Sequence, residues 1–465
     1  MTEGGTGRSL HPLTMMILAI LVSFAITYIA GSGRFERHGE VVVAGTFHEI
    51  PKVSGAAAFF APGIAPPAKD APVAHAASVF SLLAAISGGL IKNVTLVVLV
   101  LMIGAMFGVL RSTGAVEAGI DRLLDVTGGR KYVLVPVLMI LLGMGSTFLG
   151  MIPEYLVLIP IIGLVGERLG YSRLFGLAVV TVASKIGYLT SVTNPFALPI
   201  AQSLAHVPLF SGIEYRAFLF AFFLAIGILY VVLRLHPERA PQKDYAGEKP
   251  RRLSCKHSVV LSLLGAAAVL LVVGFTRWSW GIAEVCTLYT ALPVLFAIAN
   301  RSSLNDACEA YVGGMRNMVL SALLVGLAGA VQTLLENSFV LDDLIYRATE
   351  LLHGQPTAVS AVGIMAIEIA LGIFVPSTSG KVAMSMPILA PIAHLSGVSG
   401  QTTVLAFLMG NGLTNMIAPT NGMLLAFIAA ARVSFGEWAR FVLPLFALLV
   451  VLAIGALVVA DMTGY

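Results

Sequence analysis

The chain alternates long apolar runs with short polar ones. Nine runs, 13–30, 93–110, 174–208, 213–233, 258–276, 282–299, 314–335, 402–432 and 438–460, approach or exceed the roughly 18–20 residues that a helix needs to cross a bilayer. Two regions, 132–168 and 357–396, have a different pattern: two short apolar arms flank a polar centre rich in Gly, Pro, Ser and Thr. Arms of this length fit re-entrant hairpins, which enter and leave the membrane on one side. Segments 112–129 and 337–353 scatter charges among apolar residues and read as amphipathic helices at the interface, and 77–92 reads as a third. Residues 31–76 form a long polar, Pro/Ala-rich loop.

Composition agrees with this pattern. The 465 residues are 58% hydrophobic and 11% charged, with a mean hydropathy of +0.92. Soluble domains carry roughly 25% charged residues. The expected fold is therefore an all-α polytopic membrane protein in a lipid bilayer, with no nucleic-acid partner. The distribution of charge says more than the net value of +4. With the N-terminus and the basic linker 234–257 in the cytoplasm, 18 of the 28 Lys and Arg fall on that side, as the positive-inside rule requires. Lys185 and Lys381 fall inside membrane segments.

The linker divides the chain into two repeats, 1–233 and 258–465. Residues match at a separation of 227 positions: Pro160 with Pro387, Gly170 with Gly397, and Thr193-Asn194 with Thr420-Asn421. Each half runs from a polar-centred hairpin (132–168, 357–396) to a turn, then to an apolar segment (174–208, 402–432) interrupted by a Thr-Asn pair beside a proline. The topology inverts one half relative to the other. Inverted repeats with paired broken helices point to a secondary transporter with its site near the midplane.

Every backbone N–H and C=O in hydrocarbon needs a partner, so irregular backbone is tolerated only inside protein or beside a cavity. A broken helix also presents half-helix ends, N-termini that favour anions and C-termini that favour cations. The expected substrate residues are Ser146 and Thr147 at the first tip, and Ser377, Thr378, Ser379 and Lys381 at the second. Thr193 and Asn194 at the first break, and Asn415, Thr420 and Asn421 at the second, complete the set. Intramembrane charge is costly and marks function by default, which adds Glu154, Lys185 and Glu368 as coupling or charge-balancing residues. Glu154 and Lys381 occupy equivalent positions in the two halves. Glu154 could bind a cation or a proton; Lys381 could meet a substrate carboxylate, an acid such as Glu368, or replace a sodium ion.

The stretches STFLGMIPEYLVLIP, TSVTNPFALPIAQSLAHVPLFSG, STSGKVAMSMPILAP, TTVLAFLMGNGLTNMIAPTNG and FGEWARFVLPL resemble the YfcC-like branch of the anaerobic dicarboxylate carrier (DcuC) family, within the ion transporter superfamily. The resemblance implies a homodimeric carrier of the bacterial inner membrane with an elevator-like motion. It also implies substrate between the hairpin tips, with sodium beside the tips and breaks, in this chain near Ser146, Glu154 and Asn194. Substrates across such families include dicarboxylates, other organic anions and basic amino acids.

These readings converge on a secondary active transporter of a small carboxylate, coupled to sodium, protons or exchange. Two lysines favour an anionic substrate. The alternatives are an exchanger of basic amino acids and a cation/proton antiporter using Glu154 and Lys185. No pairing of a nucleophile with a base suggests an enzyme, and no cofactor motif is present in the sequence.

Overall fold

The computed structural model describes residues 11–38, 41–62, 72–119, 122, 131–195, 197–237, 254–278, 280–352 and 354–465. Most of the linker 234–257 and much of the expected interfacial helix 112–129 lie outside the described residues. Among the described residues, nine helical segments are long and apolar enough to cross a bilayer.

The helices before the first hairpin are α1 (Pro12–Ile29), α2 (Val79–Lys92) and α3 (Val94–Ser112). The first hairpin consists of α4 (Lys131–Leu149), a 3-10 turn (Pro153–Val157) and α5 (Leu158–Arg168). A broken helix follows as α6 (Leu174–Thr190) and α7 (Leu198–Leu204), and α8 (Ile213–Arg234) closes the half. The second half begins with α9 (Cys255–Arg277), α10 (Ile282–Asn300), α11 (Leu304–Asn337) and α12 (Val340–Glu350). Its hairpin is α13 (Thr357–Phe374) and α14 (Thr378–Leu395), its broken helix α15 (Gly400–Ile417) and α16 (Gly422–Ala431), and its final span α17 (Phe435–Thr463).

Shifted by 227 positions, α4 falls on α13, α6 on α15 and α8 on α17, to within a few residues. The turn glycines Gly170 and Gly397 share the left-handed conformation, with φ of 84° and 82°. Packing repeats as well. Helix α4 packs on α6 as α13 packs on α15, and α6 crosses α15 at the centre. Helix α7 lies beside α14, and α16 beside α5.

The chain dictates where the helices stop. Gly150 takes a φ of 70° after α4, and Pro153 begins the following 3-10 turn. Ser191 adopts the left-handed conformation at the end of α6, and Ala418 turns extended at the end of α15. Side-chain caps then start the next helices: Ser377 accepts from Gly380 N at 3.3 Å, and Asn421 from Leu424 N at 2.9 Å. Each supplies an acceptor for an N–H that the helix itself cannot satisfy.

Val79–Lys92 forms a helix, as expected, capped at Ser78 and ending at Asn93 directly before α3. The two helices run antiparallel along α11. The apposed glycines allow this: a Cβ on Gly108 would lie 2.2 Å from Ala310 O, and one on Gly89 2.3 Å from Ala330 N. One expectation is corrected: the fold is not wholly α-helical. The loop after α1 holds three two-stranded pairs, Gly33–Arg34 with His48–Glu49, Arg37–His38 with Val41–Val42, and Lys52–Val53 with Ala74–His75. This loop covers α12, where Phe47 stacks on Tyr346 with centroids 4.0 Å apart. Asp342 on α12 accepts from Phe35 N at 3.1 Å and pairs with Arg37 at 2.5 Å.

Candidate functional site

At the first tip, the hydroxyls of α4 bind the backbone of the broken helix. Ser146 Oγ donates to Ser184 O at 2.6 Å. Thr147 Oγ1 accepts from Val192 N at 3.0 Å and lies 3.2 Å from Thr190 Oγ1. Thr193 N donates to Thr147 O, and Thr193 Oγ1 to Phe148 O, both at 3.2 Å. The tip and the break thus satisfy each other's irregular backbone, which hydrocarbon could not do. Asn194 is buried beside them.

The second half repeats the theme with other side chains. Thr420 Oγ1 donates to Ile373 O at the end of α13, as Thr193 does to the end of α4. Asn421 Nδ2 donates to Asn415 Oδ1, locking the two sides of the second break. Thr378 Oγ1 accepts from Asn411 Nδ2 at 3.2 Å. The Ser379 side chain lies outside the described residues.

The halves meet at Tyr188 on α6, whose hydroxyl faces the side chains of Thr378 and Asn411. Sequence reasoning missed Tyr188. The available signal was a phenol one turn from Lys185, shortly before the break. It also missed Gln332 on α11, which is buried near Gly380 at the second tip and donates to Glu336 Oε1 at 2.7 Å.

The charged residues separate into three environments. Glu368 and Lys381 are 0% and 2% exposed, with Nζ 3.7 Å from Oε2 and 3.4 Å from Glu368 O. Lys185 is 1% exposed, and its ammonium lies over the Phe427 ring, 5.6 Å from the centroid. Among the described residues, no carboxylate lies within 4.0 Å of Lys185. Glu154 accepts from Ile152 N at 3.1 Å within its own turn. The equivalence of Glu154 and Lys381 in the repeat therefore does not make them partners; Lys381 faces Glu368.

Among the described residues, the arrangement offers a buried cation with no carboxylate within 4.0 Å, a second cation in a loose pair, and two half-helix N-termini at the broken segments, all features that suit negative charge. Cation–π contact with Phe427 eases the burial of Lys185 but does not neutralise it.

A family model described as "DcuC: C4-dicarboxylate anaerobic carrier" matches residues 11–462. A curated relative named putative basic amino acid antiporter YfcC, of Escherichia coli, is 29% identical over 396 residues, 80% of this chain and 78% of that one. An uncharacterized protein of Haemophilus influenzae is 26% identical over 388 residues, 80% of this chain and 76% of that one. Solved transporter structures align along nearly the whole length. The Alcanivorax borkumensis YdaH transporter gives a TM-score of 0.44 at 18% identity, covering 98% of this chain and 99% of that one. Neisseria gonorrhoeae MtrF gives 0.44 at 16%, covering 97% and 95%.

Proposed function

The chain belongs to the C4-dicarboxylate anaerobic carrier (DcuC) family of membrane transport proteins, and from that premise we propose that it carries a small organic carboxylate by secondary active transport. The observation that carries this reading is Lys185. A fully buried ammonium with no carboxylate within 4.0 Å among the described residues is costly unless an anion completes it. A carboxylate bound between the tips would supply that charge. Lys381 is the second buried cation that a substrate with two carboxylates would call on.

The repeated elements, with their packing and matching Gly170 and Gly397 turns, support two related halves around one central site. The placement of Lys and Arg supports opposite orientations of those halves, with the N-terminus cytoplasmic in a bacterial inner membrane. In the proposed cycle the hairpins and broken helices move together and expose the site alternately to each side, an elevator-like motion.

The name of the Escherichia coli relative favours a basic amino acid as substrate. Lys185 opposes it, because a cationic side chain would enter a site that already holds an uncompensated positive charge. Calorimetric titration of the purified protein with succinate, pyruvate and arginine separates the readings. Saturable binding of a carboxylate, without binding of arginine, is expected; the reverse pattern would refute the carboxylate reading.

A further inference from the structure

Glu368 and Lys381 form a buried pair with unusual geometry. A hydrogen-bonded charge pair typically has its heavy atoms about 2.7–2.9 Å apart. Here Nζ and Oε2 are 3.7 Å apart. Among the described residues, neither carboxylate oxygen of Glu368 accepts a hydrogen bond of normal geometry, although the side chain is completely buried. The ammonium instead reaches toward the backbone oxygen Glu368 O, and it lies so close to Gly372 that a Cβ there would be 2.9 Å away. The attraction holds the two charges together without fixing them in a directed bond.

Lys381 also lies in the first turn of α14, directly after the Ser377 cap. The positive end of that helix and the ammonium draw an anion to the same place. A substrate carboxylate arriving there competes with Glu368 for Lys381. The ammonium has three N–H donors, and its contact with the pair is weak enough to yield. Glu368 would then be a buried carboxylate without a counter-charge, a state costly enough that such a group takes up a proton instead.

We propose that Glu368 is the proton-coupling residue of the carrier, with Lys381 exchanging its counter-ion between Glu368 in the empty state and a substrate carboxylate in the loaded state. The inference rests on the carboxylate reading given above. In the loading step one proton adds to an oxygen of Glu368, and one substrate carboxylate takes its place beside Lys381, which keeps all its protons. The charge of the group is zero before and after. On release the carboxylate leaves, the proton leaves Glu368, and the pair closes. That local balance is kept in both states, whereas a carboxylate arriving without a proton would add a surplus negative charge to the group.

The surroundings leave Lys381 as the charge that faces Glu368. Helix α15, packed along α13, has no titratable side chain. On α17 the candidates are Glu437, Arg440 and Asp461, all near the helix ends, with Asp461 accepting from Thr357 Oγ1 at 2.8 Å at the start of α13. Helix α14 adds His394 at its far end. Helix α12 carries Asp342, Asp343, Tyr346, Arg347 and Glu350; Asp342 pairs with Arg37, Asp343 with Arg347, and Tyr346 stacks on Phe47.

The test counts protons. Succinate binding to the purified wild-type protein is measured by calorimetry in buffers of different ionisation enthalpy, across a pH series. The expected result is uptake of close to one proton per bound succinate in the alkaline range, with the apparent Kd weakening about tenfold per pH unit there. Glu368→Gln should abolish the uptake, flatten the pH dependence, and bind more tightly than wild type at alkaline pH. Succinate binding without proton uptake in wild type, whether or not sodium strengthens it, would overturn the inference and leave the carboxylate reading standing. A Glu368→Gln variant that keeps the wild-type pH slope would also overturn it. Failure of wild type to bind succinate or pyruvate at any pH would overturn both. The wild-type count needs no variant, so a misfolded variant does not remove the test.

Discussion

Lys185 on α6 and Phe427 on α16 come from opposite halves of the chain, yet the ammonium of one lies 5.6 Å from the ring centroid of the other. The contact joins the first half of one broken helix to the second half of the other. It also places a positive charge in the protein interior against an aromatic face, with no carboxylate within 4.0 Å among the described residues.

That relationship gives a substitution with opposite effects on binding and stability. Lys185→Met keeps the length of the side chain and removes the charge. Carboxylate binding should weaken at least tenfold, about 1.4 kcal/mol. Thermal stability of the empty protein should hold or rise, because a buried charge without a carboxylate partner has been removed. Calorimetry and unfolding in detergent read the two effects. Unchanged affinity, or a large loss of stability, would assign Lys185 a structural role.

Thr147 has a different part. Its hydroxyl accepts from Val192 N at 3.0 Å, so Thr147→Val leaves a buried N–H without its acceptor at the first break. The expected loss is about 1–3 kcal/mol of stability. Denaturant titration of the purified variant would show it. A variant as stable as wild type would mean that the tip does not hold the break in place.

The crossing of α6 and α15 depends on a missing side chain. A Cβ on Gly412 would lie 2.4 Å from Leu189 Cα, a backbone atom that cannot turn aside. Gly412→Ala should therefore separate the two halves, with a stability loss of about 1–3 kcal/mol or more. Gly163→Ala is the matched control, since a Cβ there meets nothing within 4 Å. Size-exclusion profiles and melting temperatures of the two variants should diverge.

The loop packed on α12 should respond to pH through Asp342. Burial pushes this carboxyl up from its ordinary value, and the Arg37 guanidinium opposes the rise without cancelling it. A carboxyl raised in the folded state binds its proton more tightly there than in the unfolded chain. Its contribution to stability is then complete below the unfolded value and is lost as pH rises through the folded one. The expected signature is a melting temperature that falls on going from acid toward neutral pH, with a shallower fall in Asp342→Asn. An identical slope in the variant would exclude Asp342 as the source.

Much of this architecture was legible because membrane insertion constrains sequence strongly. The apolar runs, the two polar-centred hairpins and the Thr-Asn breaks each leave a one-dimensional mark, and the helices were found where those marks lie. The partners within the site were not legible. The 227-residue offset equates Glu154 with Lys381 but says nothing about distance, and the acid beside Lys381 comes from the preceding arm of its own hairpin. Val79–Lys92 has an interfacial composition, but the glycines of α11 that accept it are more than two hundred residues away. Tyr188 reads as an ordinary aromatic until folding brings Thr378 and Asn411 to it.

Transport itself gives the most direct test. Purified protein in liposomes preloaded with unlabelled succinate, pyruvate or arginine would be assayed for counterflow of the matching labelled compound. A carboxylate carrier should accumulate labelled succinate or pyruvate transiently in the matching vesicles and should not accumulate labelled arginine. Arginine counterflow, with neither carboxylate exchanged, would contradict it.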